Sequence, residues 1–241
     1  AEEGLSSLFR FEIFLRSLDA DLDLDKHINV EGRFELDNGE HKRMVTGILS
    51  EFDAVKQQGE YVVYRAVLVP YLWRLTLFHT NEVYLKMKVS EMIAQVMEEA
   101  GFSSLDFRFE LSESERKWEY RCQYDETHFN FLSRILEREG IYYFFENDGS
   151  VVFCDHLSSH QALKEDAIFF SNQQGDRPAQ RFSLVSSLMG TRMQMPGRVI
   201  LRDFNDDTPS VDVVGEAQVS VNGMGEVNVF GQNILDVDEG V

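Results

Sequence analysis

The sequence predicts an α+β protein that is mainly β. Three observations carry the prediction. Apolar and polar residues alternate through several runs before Val69; two later stretches, 89–101 and 125–140, carry the helical period; and strand-like runs return after Gly140 and again in the final third.

Four runs open the chain as antiparallel strands: 9–15 (FRFEIFL), 30–36 (VEGRFEL), 44–52 (MVTGILSEF) and 61–69 (YVVYRAVLV). Asn38-Gly39 is the strongest of short hairpin signals, and KQQGE at 56–60 offers a longer glycine-bearing loop. Strands at this spacing suit a small barrel or sandwich. The next element is a helix at 89–101, with Met92, Ile93, Val96, Met97 and Ala100 on one face, Ser90 as its N-cap and Gly101 as its stop. A second helix follows Asp125 or Thr127, buries Phe129, Leu132 and Leu136 with Phe131 and Ile135 beside them, and ends at Gly140 in a left-handed cap. IYYFFEN and SVVFCDH then face each other across Asp148-Gly149 as a hairpin. The first of these strands has aromatics on both faces, so it is expected to be central or covered, with the preceding helix over one face. GRVILRDF, SVDVV, AQVSV and EVNVF complete the β pattern, the last two joined by NGMG as a hairpin turn.

The 241 residues hold 42 acidic and 23 basic side chains, a formal charge of −19. Such a chain repels nucleic-acid phosphates and anionic membranes, and its lysines and arginines are scattered. No nucleic-acid partner and no membrane insertion by this region are expected. From Asp203 onward there are nine acidic residues and no basic ones, so that portion is strongly anionic. The start, AEEGLSSLFRFEIF, lacks the basic-then-apolar pattern of a signal peptide. Cys122 and Cys154 lie in strand-like segments, where small buried thiols are common; they form no CxxC motif, and a disulfide between them stays open.

Converging chemistry is hard to find. Glu137 and Glu139 point roughly 200° apart on a helix, so they cannot face one substrate, and Glu146 could join them only through the fold. DADLDLDK, at 19–26, places Asp21, Asp23 and Asp25 at calcium-loop spacing, but Lys26 and Gly32 stand where a glycine and a glutamate are needed. An exposed edge or loop fits it better. His156 and His160 lack the glutamate and helix of a zinc motif. No catalytic, cofactor or metal residue is assigned, and none of these functions is expected.

VYRAVLVPYLWRLTLF (63–78), KVSEMIAQVMEEAGF (88–102), QYDETHFNFLSRILEREGIYYFFE (123–146) and GRVILRDFNDDTP (197–209) resemble, in order and spacing, the N-terminal hub region of VgrG spike proteins of type VI secretion systems, which is similar to the hub of contractile-phage baseplates. The resemblance covers nearly the whole chain. It implies barrel-like tube domains with an inserted helix-plus-hairpin α+β unit: a first tube domain at 1–80, the insert at 81–156, and part of a second tube domain, truncated, within 157–241. It also implies a structural, non-enzymatic hub that forms a homotrimer in the full-length protein and joins the spike to a hexameric tube, with baseplate components and effectors as further partners. Assembly would take place in the bacterial cytoplasm, followed by export through the injection machine without a signal peptide. Two other classes stand beside it: a cell-wall-hydrolysing enzyme, and a carbohydrate-binding module using Trp118, Tyr142 or Tyr143.

Overall fold

The computed structural model describes residues 1–37, 42–112, 116–159, 169–170, 184–185, 187, 189–232 and 234. They form two compact units: one comprises the described residues up to Ser159, the other Phe169–Phe170 and the described residues from Leu184 onward.

The first unit begins with a curled four-stranded sheet made of β1 (Phe11–Ser17), β2 (Glu31–Asp37), β3 (Lys42–Gln58) and β4 (Tyr61–Val69), in the order β1-β4-β3-β2 and antiparallel throughout. The predicted strands are all present. Asn38-Gly39 lies outside the described residues, although its flanking strands pair Asp37 with Lys42. The loop expected at 56–60 is shorter than the sequence suggested. β3 continues to Gln58, which pairs with Tyr61, so only Gly59 and Glu60 turn, with Gly59 at φ 63°. β3 is long because bulges at Ser50 and Val55 let it bend without ending; each places one extra residue against β4. Leu22 and Leu24, set in a loop and short 3₁₀ turn, pack on Phe52, Tyr64 and Ala66, while Asp21, Asp23 and Asp25 face solvent.

A larger core follows. β5 (His79–Lys88) pairs with β7 (Lys117–Thr127) as a two-stranded ribbon, and β6 (Phe107–Glu110), β9 (Val151–Cys154) and β8 (Tyr142–Phe145) form a second sheet in that order. α1 (Val89–Glu99) and α2 (His128–Glu139) bury the predicted stripes except that Phe129 is only half-buried; Met92, Ile93, Val96 and Met97 of α1 and Phe131 of α2 are wholly enclosed. Ser90 is not the N-cap of α1. β5 runs directly to Lys88, whose amide donates to the Glu91 carboxylate at 2.8 Å, so Ser90 falls inside the first turn. The end of α1 follows expectation: Gly101, at φ 84°, donates to Glu98 and Phe102 to Met97, which satisfies the last carbonyls. Thr127, not Asp125, caps α2, accepting from the Asn130 amide at 3.1 Å. Asp125 instead occupies a bulge of β7 at φ 50°, its amide donating to the Asn81 side chain.

The hairpin across Asp148-Gly149 forms as predicted, but its central member is β9, all of whose residues are buried. β8 is an edge strand. Ile141 and Tyr143 enter the core beneath the helices, whereas Tyr142 and Phe144 on the other face are half-buried. Ser6 covers part of the free edge: its amide donates to the Tyr143 carbonyl, and its hydroxyl accepts from the Tyr143 amide.

In the second unit β10 (Phe169–Phe170) and β11 (Leu184–Val185) pair in parallel, and β12 (Arg198–Asp203) lies between β13 (Val213–Gln218) and β14 (Glu226–Phe230). SVDVV and AQVSV are therefore not two strands, and AQVSV and EVNVF do not form a hairpin. β12 is antiparallel to β13 and parallel to β14. The NGMG loop folds back onto the chain before β12: Met224 donates to the Met195 carbonyl and Gly197 to the Gly225 carbonyl. A Cβ on Gly223 would lie 2.2 Å from the Pro196 oxygen, so this crossing requires glycine.

Candidate interaction surfaces

The residues singled out for chemistry do not converge. Glu137 is exposed on α2, Glu139 contacts Arg138, and Glu146 pairs with Arg108 beside the hairpin turn. His156 takes hydroxyl contacts from Ser158 and Ser159 in a 3₁₀ turn; His160 lies outside the described residues. Among the described residues no group of three or more His, Cys, Asp and Glu side chains is placed to hold a metal ion. Cys122 and Cys154 are both free thiols, and burial pushes Cys154 upward in pKa.

The aromatics proposed as a sugar platform are mostly internal. Tyr143 and Trp118 are each 2% exposed, and Tyr142 donates its hydroxyl to the His156 carbonyl. Burial pushes the Tyr143 phenol up to about 12. Trp118 is instead a platform for cations, with the guanidinium carbons of Arg121, Arg116 and Arg138 at 3.2, 3.7 and 4.7 Å from its ring centre. Burial, then the neighbouring Arg138 charge, pull Arg121 down to about 10.

Among the described residues of the first unit, two surfaces stand open. On one face of the first sheet, Arg65 bridges Glu12 of β1 with Glu51 and Asp53 of β3, and Arg10 adds a second contact to Glu51. These hydrogen bonds, chiefly with Asp53, raise the Arg65 pKa further, so it is a permanent cation that ties three strands together. Toward the Gln58 end, the same face becomes an apolar groove of 410 Å³ lined by Phe14, Leu15, Arg16, Val55, Lys56, Gln58 and Val63. The second surface is the outer side of the β5–β7 ribbon, where Val83 and Leu85 are exposed together with Tyr120. Sequence reasoning missed both. The pattern of β5 misleads, because the buried side chain is Tyr84, stacked on Phe131 at 4.9 Å, and not the two aliphatics on either side of it.

Open apolar surfaces and an ion-laced sheet suit a protein built for contacts. The family of phage tail baseplate hub proteins (GPD) matches residues 2–240. The chain belongs to this hub family. The hub chain is 37% identical over 165 residues to the type VI secretion system spike protein VgrG1b of Pseudomonas aeruginosa, which covers 66% of the chain but 22% of that protein. It spans less than a third of the length of the curated spike relatives it matches. Among solved structures it is similar to the E. coli c3393 protein, a type VI secretion component described as resembling the T4 bacteriophage tail proteins gp27 and gp5, with a TM-score of 0.62 at 25% identity over 66% of this chain and 45% of that one. The 43 kDa tail protein of prophage MuSo2 from Shewanella oneidensis shares the fold over 99% of the hub chain and 68% of its own, with a TM-score of 0.60 at 12% identity. The mainly β, α+β architecture and the VgrG-type character read from the sequence both hold.

Proposed function

We propose that the chain is the structural hub segment of a type VI secretion spike, that it forms a homotrimer in the complete protein, and that it joins the spike to a hexameric inner tube without a catalytic step of its own. The observation that carries this reading is the hub-family match along residues 2–240. The sheet of β1–β4 serves as the first tube domain, residues 81–156 as the α+β insert, and 157–241 includes part of a second tube domain. Baseplate components and effectors are further partners. The protein assembles in the bacterial cytoplasm and leaves through the machine.

Three-fold closure uses heterologous contacts between different faces of neighbouring chains, and obligate interfaces of this kind bury about 2,000 Å² or more. The open surface on the ribbon is available for such contacts. Light scattering of the complete gene product, with electron microscopy of that product mixed with tube protein, tests the proposal. A trimer mass and caps seated on tube ends are the expected results. A monomeric complete product at micromolar concentration, or tubes left uncapped, would overturn it.

A further inference from the structure

The groove at the Gln58 end of the first sheet sets two cations beside exposed apolar side chains. Arg16 on β1 and Lys56 on β3 are both register partners of Val63 on β4, so the two cations stand on either side of one apolar residue in a single cross-strand row. Neither makes an ion pair or a side-chain hydrogen bond among the described residues, although the chain carries a charge of −19 and most of its other arginines are held by carboxylates. Val55, the extra residue of the second bulge of β3, is 48% exposed, and Phe14 beside it is 60% exposed. Leu18 and Tyr61 extend the apolar surface around the same end of the sheet.

We propose that this groove binds an extended segment of a partner protein in which one apolar side chain is flanked on both sides by carboxylates. Charge complementarity selects that chemistry. An acidic protein that leaves two cations unneutralised beside exposed apolar side chains attracts negative charge there and repels it over most of its remaining surface. Size selects a segment over a broad face: 410 Å³ lies at the lower end of the roughly 300–1,000 Å³ of small binding clefts, enough for an anchor of one or two side chains. Spacing agrees as well. Arg16 and Lys56 are each one strand away from Val63, about 4.8 Å, which carboxylates two residues from the anchor of an extended segment, on the same face as it, can span. The inference goes beyond the hub reading and does not depend on it.

The experiment uses the full chain and two labelled pentapeptides, Asp-Gly-Leu-Gly-Asp and Lys-Gly-Leu-Gly-Lys, which put both charges on the same face as the leucine, followed by fluorescence anisotropy. The expected result is binding of the acidic peptide that weakens with salt, with at least a tenfold loss in the double variant Arg16→Glu/Lys56→Glu and a switch of preference to the basic peptide. Val55→Ser should weaken the acidic peptide without switching the preference. A matched reversal at Lys26 and Lys117, away from the groove, should leave binding unchanged. Near-UV circular dichroism identical to that of the parent establishes that the exposed substitutions leave the fold intact. Equal binding of the two peptides, binding of neither, or an acidic-peptide affinity indifferent to the groove reversal would overturn the proposal. So would light scattering in which Val55→Ser abolishes self-association, since the occupant would then be a second copy.

Discussion

At Gly140 the backbone ends α2 at φ 68° and ψ 20°, and the place where a Cβ would sit is open space. The demand for glycine here is conformational and not steric. Gly140→Val should cost about 2 kcal/mol in thermal or urea unfolding, whereas Gly140→Asn should cost clearly less, because a short polar side chain tolerates the left-handed region. Equal losses for both would show that the space, not the dihedral, governs the site. A second residue-scale device is His128, buried where α2 begins. Its Nδ1–H donates to the Gln123 side chain at 3.1 Å, its ring stacks on Phe78, and its Nε2 stands 3.8 Å from Glu99. Burial lowers its pKa; Glu99 and, less strongly, Glu82 act in the opposite sense. The unfolded imidazole therefore binds a proton at higher pH than the folded one. The contribution of His128 to stability is complete above the ordinary histidine value, about 6.5, and declines as pH falls from there toward the folded value. His128→Gln should flatten that part of the stability–pH curve, measured by urea unfolding between pH 7.5 and 5; an unchanged slope would contradict the assignment.

Among the elements, β8 and β9 show how an aromatic run is divided between core and edge. Tyr143 meets Phe145 and Phe153 at ring separations of 5.7 and 6.0 Å inside the core shared with α1 and α2. Its phenol oxygen has no partner among the described residues, so part of the gain from burying the ring is offset by an unsatisfied polar atom. The ring term dominates, and Tyr143→Ala should cost about 3 to 5 kcal/mol. Tyr143→Phe should be close to neutral or stabilising, because it removes the buried hydroxyl and leaves the ring. In the second unit the comparable sensitivity lies in a loop. Gly223→Ala would press a methyl group against the Pro196 carbonyl, and overpacking of this kind costs about 1 to 3 kcal/mol. Hydrogen exchange should quicken at Val227 and Val229 of β14 while the amides pairing β12 with β13 keep their protection.

For the whole molecule the governing quantity is charge. Ion pairs such as those of Arg65, Arg108 and Arg198 neutralise carboxylates locally, yet a formal −19 remains. Self-repulsion of that size weakens as the screening length falls from about 30 Å at 0.01 M salt to about 8 Å at 0.15 M. The melting temperature should therefore rise by several degrees over that range in scanning calorimetry. A fall would mean that the surface ion pairs, which salt also screens, outweigh the net repulsion.

The sequence by itself determined the mainly β, α+β class, the four strands of the first sheet, both helices with their buried stripes, their glycine stops and the hairpin across Asp148-Gly149. These rest on interactions between residues close together in the chain: alternation, the helical period, and backbone angles that only glycine adopts freely. Tertiary structure decided what depends on partners far apart. The placement of β12 between β13 and β14 follows from the NGMG loop crossing residues 196–197, a contact that a local turn signal cannot reveal. Tyr84 is buried and its aliphatic neighbours exposed because α2 brings Phe131 to one side of the ribbon and leaves the other open. The cationic row of Arg16 and Lys56 exists only through the bulge at Val55, which sets the register of β3 against β4; were Val55 paired regularly with Val63, Lys56 would stand opposite Val62 and turn to the other face of the sheet.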